Sequence, residues 1–412
     1  MLERYEAYKD SGVEWIGEVP EHWGVVYPKA LFSLRKDKAR SEDVQLTASQ
    51  KYGVIPQSLF MELENQRVVT VITGEEILKH VELGDFVISM RSFQGGLEYS
   101  EHSGKISSAY VMVEPNKEMV FPSFFKYVFK SAHYIQALQS TSNLVRDGQA
   151  MRFSNFIQVY LPLPGIAEQK AVADYLDEKT AEIDSIVSET ERSIELLREY
   201  RKSVISEAVT KGLDPNAPMK DSGVEWIGEI PAVWDVARMS NFVRFHSGDS
   251  LDSTLLKSES PYPVYGGGNV KGRYDQSNIS AGSVLVSRQG ATCGAARYIA
   301  SAAWATEHAL IATKLCTMDS RWLAYFLGNM NLGQYSMTAA QPGISADKIE
   351  SLPIVVASTW EQERIADYLD AKTSEIDALI ADKERQVELL KEYRKSLISE
   401  AVTGKFKVPG VS

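Results

Sequence analysis

The amino-acid sequence predicts a mixed α/β (α+β) chain built twice: two blocks of short strands and helices, joined by two long helices in an internal pseudo-two-fold repeat. Three observations carry this. Two motifs recur along the chain in the same order. Two stretches without Gly or Pro carry a helical apolar seam. The remaining segments are β-rich and broken by turn residues. The chain divides into a head at 1–23, a first block at 24–165, a helix at 166–212, a second head at 213–234, a second block at 235–357, a second helix at 358–404 and a tail at 405–412.

The heads are the clearest repeat. Residues 9–20 read KDSGVEWIGEVP and residues 220–231 read KDSGVEWIGEIP, identical at eleven of twelve positions with an offset of 211. A tryptophan follows each, Trp23 and Trp234. With Trp15 and Trp226 these read as packing anchors, because two blocks that recognise different things would not need the same stacking residue. Residues 168–210 and 361–403 form the second repeat, offset by 193. The offsets differ by 18, so the first block is longer by about that much.

The second repeat predicts the helices. In the first copy Leu176, Ile183, Leu197 and Val204 recur at multiples of seven, beside Val187, Ile194 and Ala208. The other copy has Leu369, Ile376, Leu390 and Leu397 beside Ile380, Val387 and Ala401. Such 3–4 steps make a coiled-coil-like seam that needs a partner, and each helix offers one to the other. About 43 residues make a rod of about 65 Å. Ser358 three residues before Glu361 is a capping box, Gly165 stands at the matching N-cap, and Gly212 with Pro215, and Gly404, mark the stops. Thr190 and Lys383 break the first row, and Arg201 and Arg394 the second. A polar seam position either sets register or faces solvent, and periodicity does not give the relative direction of the helices.

In the blocks, residues 68–73, 86–90 and 109–113 read as strands of the first, and 284–287 and 309–313 as strands of the second. One strand of each block runs into a Gly-containing loop that opens on an arginine, at 91–96 and 288–294, and aromatic helical stretches follow at 124–129 and 322–327. Arg91, Gln94, Arg288 and Gln289 have side chains that pair bidentately with guanine or adenine, and Thr292 lies in the same loop. The loop at 265–274, YGGGNVKGRY, is no phosphate-binding P-loop, since no Gly-Lys-Ser/Thr follows. It is either a plain hairpin turn or a place where glycines let backbone approach another surface, with Asn269, Lys271 and Arg273 as donors. Lys271, Arg273, Arg146 and Arg152 suit phosphates, which position without specifying.

Composition narrows the function. Of 412 residues, 44% are apolar and 24% charged, values of a folded chain. Cys293 and Cys316 are too few for a four-thiolate zinc site and fit a reducing compartment. No apolar run approaches a membrane span, and the first residues lack the order of a signal peptide, so a cytoplasmic protein is expected. The six histidines show no metal-ligand spacing, and the motifs of hydrolases, dinucleotide enzymes and adenine methyltransferases are missing. The expected chain is non-catalytic, with no cofactor and no metal of its own. Its net charge is −11. Residues 24–165 hold 15 Lys+Arg against 14 Asp+Glu and residues 235–355 hold 10 against 9, so each block is +1 and the rest carries −13. The acidity belongs to heads and helices.

WIGEVP with Trp23, WIGEIP with Trp234, and the paired segments EQKAVADYLDEKTAEID and EQERIADYLDAKTSEID make the chain resemble the specificity (S) subunit of type I restriction-modification systems over essentially its whole length. The resemblance implies a non-catalytic subunit with two target recognition domains, each reading one half of a bipartite double-stranded DNA site. It implies that the helices pair as an antiparallel coiled-coil spacer. It also implies two methyltransferase (M) partners that bind S-adenosylmethionine, and restriction (R) partners that use ATP and Mg. Two other readings compete: a scaffold whose blocks bind protein or carbohydrate, favoured by the acidic total, and a fused nuclease, disfavoured by the missing motifs.

Overall fold

The computed structural model describes residues 3–65, 77–89, 92–141, 151–336 and 343–411. By contact the chain divides into two compact units, Met1–Thr190 with Gln386–Ser412, and Glu191–Arg385. Each unit therefore takes a stretch of both long helices.

In the first unit the head is a hairpin, Tyr8–Asp10 against Glu18–Pro20. Its motif is a turn written in side chains. Asp10 Oδ1 accepts the Gly12 N–H at 3.0 Å, and the Ser11 hydroxyl accepts the Val13 N–H at 3.1 Å. Gly17, at φ 65°, closes the loop by donating its N–H to Val13. Ile16, Val19 and Trp23 are then buried. The block's main sheet is antiparallel, in the order Phe32–Leu34, Val111–Pro115, Phe86–Ile88, Glu98–Tyr99. Helix Pro122–Val128 lays Phe124 and Phe125 on it. Phe32, Phe86, Phe125, Phe129 and Phe156 make an aromatic core, with edge contacts such as Phe86–Phe129 at 4.8 Å. A smaller core lies under the hairpin Leu46–Ser49/Gly53–Pro56 and the pair Lys79–Val81/Gly104–Ile106. Leu161–Leu163 pairs with Gly24–Val26, so both ends of the block meet at the start of the long helix.

The second unit repeats the plan. Its head hairpin, Met219–Asp221 against Glu229–Pro231, carries the same turn, with Asp221 Oδ1 accepting the Gly223 N–H at 2.9 Å. Its sheet has the same order: Val243–Ser247, Ala309–Lys314, Ser283–Ser287, Ala296–Ile299. Helix Ser320–Asn329 follows, and Asp235–Arg238 pairs with Pro353–Val356. Its smaller sheet differs, joining Val270–Tyr274, Tyr262–Tyr265 and Trp304–Ala305. The first unit adds helices Gln57–Glu64 and Ala132–Ser140, which contribute to its greater length.

Most sequence expectations land within two residues. The strand expected at 109–113 is Val111–Pro115, because residues 107–110 form a turn closed by the Ser107 carbonyl and the Tyr110 N–H. The loop after Arg91 contains a helical turn, Ser92–Gly95, closed by Gly96 N–H on the Ser92 carbonyl. The expected strand 68–73 lies outside the described residues.

The long helices are Ile166–Lys211 and Thr359–Val402. Ser358 and Glu361 form the expected reciprocal cap, each backbone N–H donating to the other side chain at 3.3 Å. Gly404 ends the second helix at φ 68°, where Lys405 N–H reaches the Glu400 carbonyl at 2.9 Å and Gly404 N–H the Ala401 carbonyl at 3.1 Å, a Schellman cap. Gly212 ends the first at φ 75°. In the first unit Leu176, Ile183, Val387 and Leu397 are buried and Val187 and Leu390 half-buried. In the second, Ile194, Val204, Leu369, Ile376 and Ile380 are buried and Leu197 half-buried. Thr190, which breaks the seam, returns its hydroxyl to the Ile186 carbonyl at 2.7 Å.

The arginines that interrupt the second row bridge the helices inside each unit. Arg394 meets both oxygens of Asp184, at 2.9 and 3.1 Å, and Arg201 meets both of Asp377, at 2.8 and 3.0 Å. The second unit adds Arg198–Glu384 at 2.6 Å, and in the first Tyr175 meets Phe406. Contacts that ascend one helix and descend the other make each stretch antiparallel. Exposed pairs of this kind are worth at most about 1 kcal/mol, so they select register more than they stabilise.

Repeated side chains also fasten each block to its helix. Buried Gln169 accepts the Phe121 N–H at 2.8 Å and donates to the Pro164 carbonyl at 2.9 Å; Gln362 accepts the Asp319 N–H at 3.0 Å and donates to the Ala357 carbonyl at 2.9 Å. Tyr127 donates to Asp177 at 2.6 Å, and Tyr325 to Asp370 at 2.8 Å.

Each helix end also closes over an indole. A Cβ on Gly404 would lie 2.5 Å from Pro20 and 3.1 Å from Trp23, and one on Gly212 would lie 3.4 Å from Trp234. The left-handed conformation alone costs a side chain about 1–2 kcal/mol. Gly212→Ala should therefore lower stability by about that much and Gly404→Ala by clearly more, read as urea midpoints of the full chain. Equal losses would refute the close approach at Trp23.

Candidate nucleic-acid interface

The second unit gathers most of the candidates. Residues 266–268 turn the hairpin between Tyr262–Tyr265 and Val270–Tyr274, with a bulge at Val264/Tyr265. The hairpin reading is right, and the glycines bring the backbone close to the neighbouring loop of the same unit. A Cβ on Gly267 would lie 2.5 Å from the Gln289 carbonyl, and the Thr292 hydroxyl donates to the Gly267 carbonyl. The glycine loop and the loop at 288–294 are thus one layer. Gln289 Nε2 lies 2.5 Å from His308 Nδ1, and Arg288 donates its N–H to the His308 carbonyl at 2.9 Å. Ile344 N–H closes on the Arg288 carbonyl at 2.9 Å.

On this layer Asn269, Lys271, Arg288 and Thr292 are exposed and Gln289 half-buried. Arg288 Nη1 donates to the Ser247 hydroxyl at 3.0 Å, which aims a guanidinium without consuming its five donors. Arg273 behaves differently. Its Nε and Nη2 donate to the Ser260 and Pro261 carbonyls, and its backbone bridges Lys257. The guanidinium thus latches the neighbouring segment through two of its nitrogens, although Arg273 and Lys271 lie two apart on one strand face.

In the first unit Gln94 is exposed on the Ser92–Gly95 turn, and Arg152 is exposed at the N-cap of Phe153–Phe156, where its N–H donates to Asn155 Oδ1 at 3.1 Å. The two sit on separate elements. Arg91 and Arg146 lie outside the described residues.

Sequence reasoning missed what holds the Gln94 turn. Lys130 Nζ donates to the Gly95 carbonyl at 2.9 Å and to Glu98 Oε2 at 2.7 Å, and Gln139 Nε2 donates to the Phe93 carbonyl at 2.5 Å. Glu98 is fully buried, and burial pushes its carboxyl up to about 7 against the opposing pull of Lys130. A buried His80 links Asp43, at 2.8 Å, to Glu82, at 3.0 Å, in the smaller core. Burial pushes His80 down, but its bonds to Glu82 and Asp43 outweigh that and hold it above its usual value, while Glu82 falls to about 2. No local sequence pattern marks these groups; they become visible only as contacts. Gln169 and Gln362, by contrast, were marked by their recurrence in the second repeat.

Among the described residues, no cluster of His, Cys, Asp and Glu is placed to hold a metal ion, and no helix is long and apolar enough to cross a membrane. The layer offers exposed hydrogen-bond donors on a shaped surface.

Residues 231–389 match the family model of the type I restriction modification DNA specificity domain. The MjaVIII specificity subunit of Methanocaldococcus jannaschii is 21% identical, with 96% of this chain and 95% of the relative aligned. Over nearly its whole length the chain is therefore similar to type I specificity subunits. The EcoprrI specificity subunit of Escherichia coli is 34% identical over 26% of this chain and 27% of its own length. Two solved structures share the fold. A chain from a study of complex assembly in a type I R-M system superposes with a TM-score of 0.70 at 14% identity, covering 93% of this chain and 98% of that one. The HsdS subunit from Thermoanaerobacter tengcongensis gives 0.57 at 15%, covering 94% and 98%.

Glu98 offers a pH test of the turn beneath Gln94. Its carboxyl is raised in the fold from the usual 4.5, so its favourable contribution is complete below about 4.5 and lost as pH rises through about 7. Glu98→Gln should melt with wild type at pH 4.5 and above it by pH 8, a gap on the order of 3 kcal/mol. A gap that does not change with pH would show that Glu98 is not the titrating group.

Proposed function

We propose that each unit carries one target recognition domain, that the two read the halves of a bipartite double-stranded DNA site, and that the long helices form an antiparallel coiled-coil spacer between them. One observation carries this reading. Two blocks with the same sheet order are fastened through the same repeated Gln, Asp and Tyr contacts to the helices, while their exposed loops differ. A frame written twice with different readers suits a site read in two different halves.

The base-reading candidates are Gln94 and Arg91 in the first domain and Arg288, Gln289, Asn269 and Thr292 in the second. Lys271, Arg146 and Arg152 are assigned to phosphates. A helix of 46 residues spans about 69 Å, more than the roughly 34–36 Å turn that separates half-sites in other two-part readers.

The helices also carry a docking surface. Leu196, Tyr200, Leu379 and Tyr368 are exposed in the second unit, and Leu389, Tyr393 and Ile186 in the first. Matching positions recur at the offset of 193, which suits two equal protein partners, the methyltransferase (M) subunits, with restriction (R) subunits joining them. S-adenosylmethionine then belongs to the M partner and ATP with Mg to the R partner, and this subunit needs no cofactor. With blocks at only +1 each, its own DNA affinity should be low and partners must supply phosphate-neutralising charge.

Methylome sequencing of the host with and without this gene should reveal and then erase one split adenine-methylated motif. Four residues inserted into each helix should widen its gap by about two base pairs, since they add about 6 Å, and leave both half-sites intact. A contiguous motif, or a methylome indifferent to the gene, would defeat this reading and favour a scaffold.

A further inference from the structure

Each unit contains a cleft where its block meets the long helices. In the first unit it measures about 690 Å³, and its lining includes Lys51, Tyr99, Tyr127, Arg394 and Lys395. In the second it measures about 750 Å³, with Arg297, Tyr298, Tyr325, Arg201 and Lys202. These are equivalent places. Tyr127 and Tyr325 are the docking tyrosines, Tyr99 and Tyr298 stand on corresponding strands, and Arg394-Lys395 repeats Arg201-Lys202 at the offset of 193.

We propose that both clefts seat the sugar–phosphate backbone of DNA regardless of sequence, with Lys202 and Lys395 as the phosphate contacts; this rests on the DNA-reading function above. The charge argument comes first. The chain is acidic overall, yet basic side chains outnumber acidic ones in both linings. Most of those cations are already committed. Arg394 is held by Asp184, Arg201 by Asp377, and Arg321 by Asp367 and Asp370. Among the described residues no carboxylate pairs with Lys202 or Lys395, and both are exposed. The same uncommitted cation stands at the same place in both clefts.

The second argument concerns what a repeated residue can read. Contacts shared by two domains that recognise different bases are suited to the part of DNA that does not vary, its phosphates. The third separates this surface from protein docking. At about 100° per residue, Lys202 stands roughly 120–160° round its helix from Leu196 and Tyr200, and Lys395 likewise from Leu389 and Tyr393. The lysines face away from the apolar stripe assigned to the methyltransferase.

The test uses the complex with its methyltransferase partner and the double substitution Lys202→Gln, Lys395→Gln, on exposed positions that should leave the melting temperature unchanged. Losing two phosphate contacts should flatten the slope of log K against log salt by about 1.8 and weaken binding on the order of tenfold or more near 0.15 M salt. The loss should be equal for target and unrelated duplexes, with the methylated motif unchanged, and Lys→Arg at both positions should restore it. Wild-type affinity and slope in the double variant would overturn the proposal alone. So would a changed motif, which would mean base reading, or release of the methyltransferase on gel filtration, which would mean the cleft holds an acidic protein segment. If the wild-type complex itself prefers no duplex, the DNA-reading function fails and this proposal with it.

Discussion

Each long helix ends by closing over a buried tryptophan, and much of the arrangement depends on that contact. Trp23 and Trp234 are almost fully buried, and the glycine that caps a helix lies against each ring. The Trp23 indole touches head, helix end and block together, since it also meets Phe124 edge-on at 6.4 Å. Removing such a ring would forfeit about 3–5 kcal/mol. A helix end free to fray would lose its Schellman cap and with it the register of the neighbouring ion pairs. The glycine is therefore as much part of the anchor as the tryptophan.

The anchor is not chemically identical in the two units. Trp234 donates its Nε1–H to Glu361 at 2.9 Å, whereas the matching Glu168 accepts from the Tyr5 hydroxyl at 2.6 Å and meets His22 at 2.9 Å. The difference follows from what surrounds each copy. Only the first head has the preceding segment that supplies Tyr5, and the chain's last residues pack there, with Lys405 donating to the carbonyls of Ile16 and Glu18. The same glutamate thus serves one frame in two ways, because a carboxylate takes whichever donors its neighbourhood presents.

Legibility in the sequence tracked the range of the interaction responsible. Helix caps and glycine stops depend on residues within a few positions of one another, and they were readable. The seam was readable because period and burial coincide: Leu176, Ile183, Leu369 and Ile376 are buried where periodicity puts them. Strand positions were readable, but their edges slipped at residues 109–113, where a turn bonded through Ser107 delays the strand by two residues. Contacts between distant residues were opaque. Nothing local tells Arg273 from Arg288, yet one is latched onto Ser260 and Pro261 while the other stays at the surface. Antiparallel pairing was equally hidden, since a seven-residue period is the same in either direction.

That contrast bears on how a duplicated frame comes to carry two different blocks. The repeated contacts bury their polar atoms: Gln169 and Gln362 are sealed against backbone groups, and losing either would strand buried donors and acceptors at about 1–3 kcal/mol each. The loops at 266–268 and 288–294 instead rest on one another through backbone carbonyls, a hydroxyl and glycines, with their longer side chains outside. Exchanging an exposed side chain there costs little, usually within about half a kcal/mol. The frame is therefore expensive to change and the exposed loops cheap. Divergence confined to the blocks follows from that difference in cost.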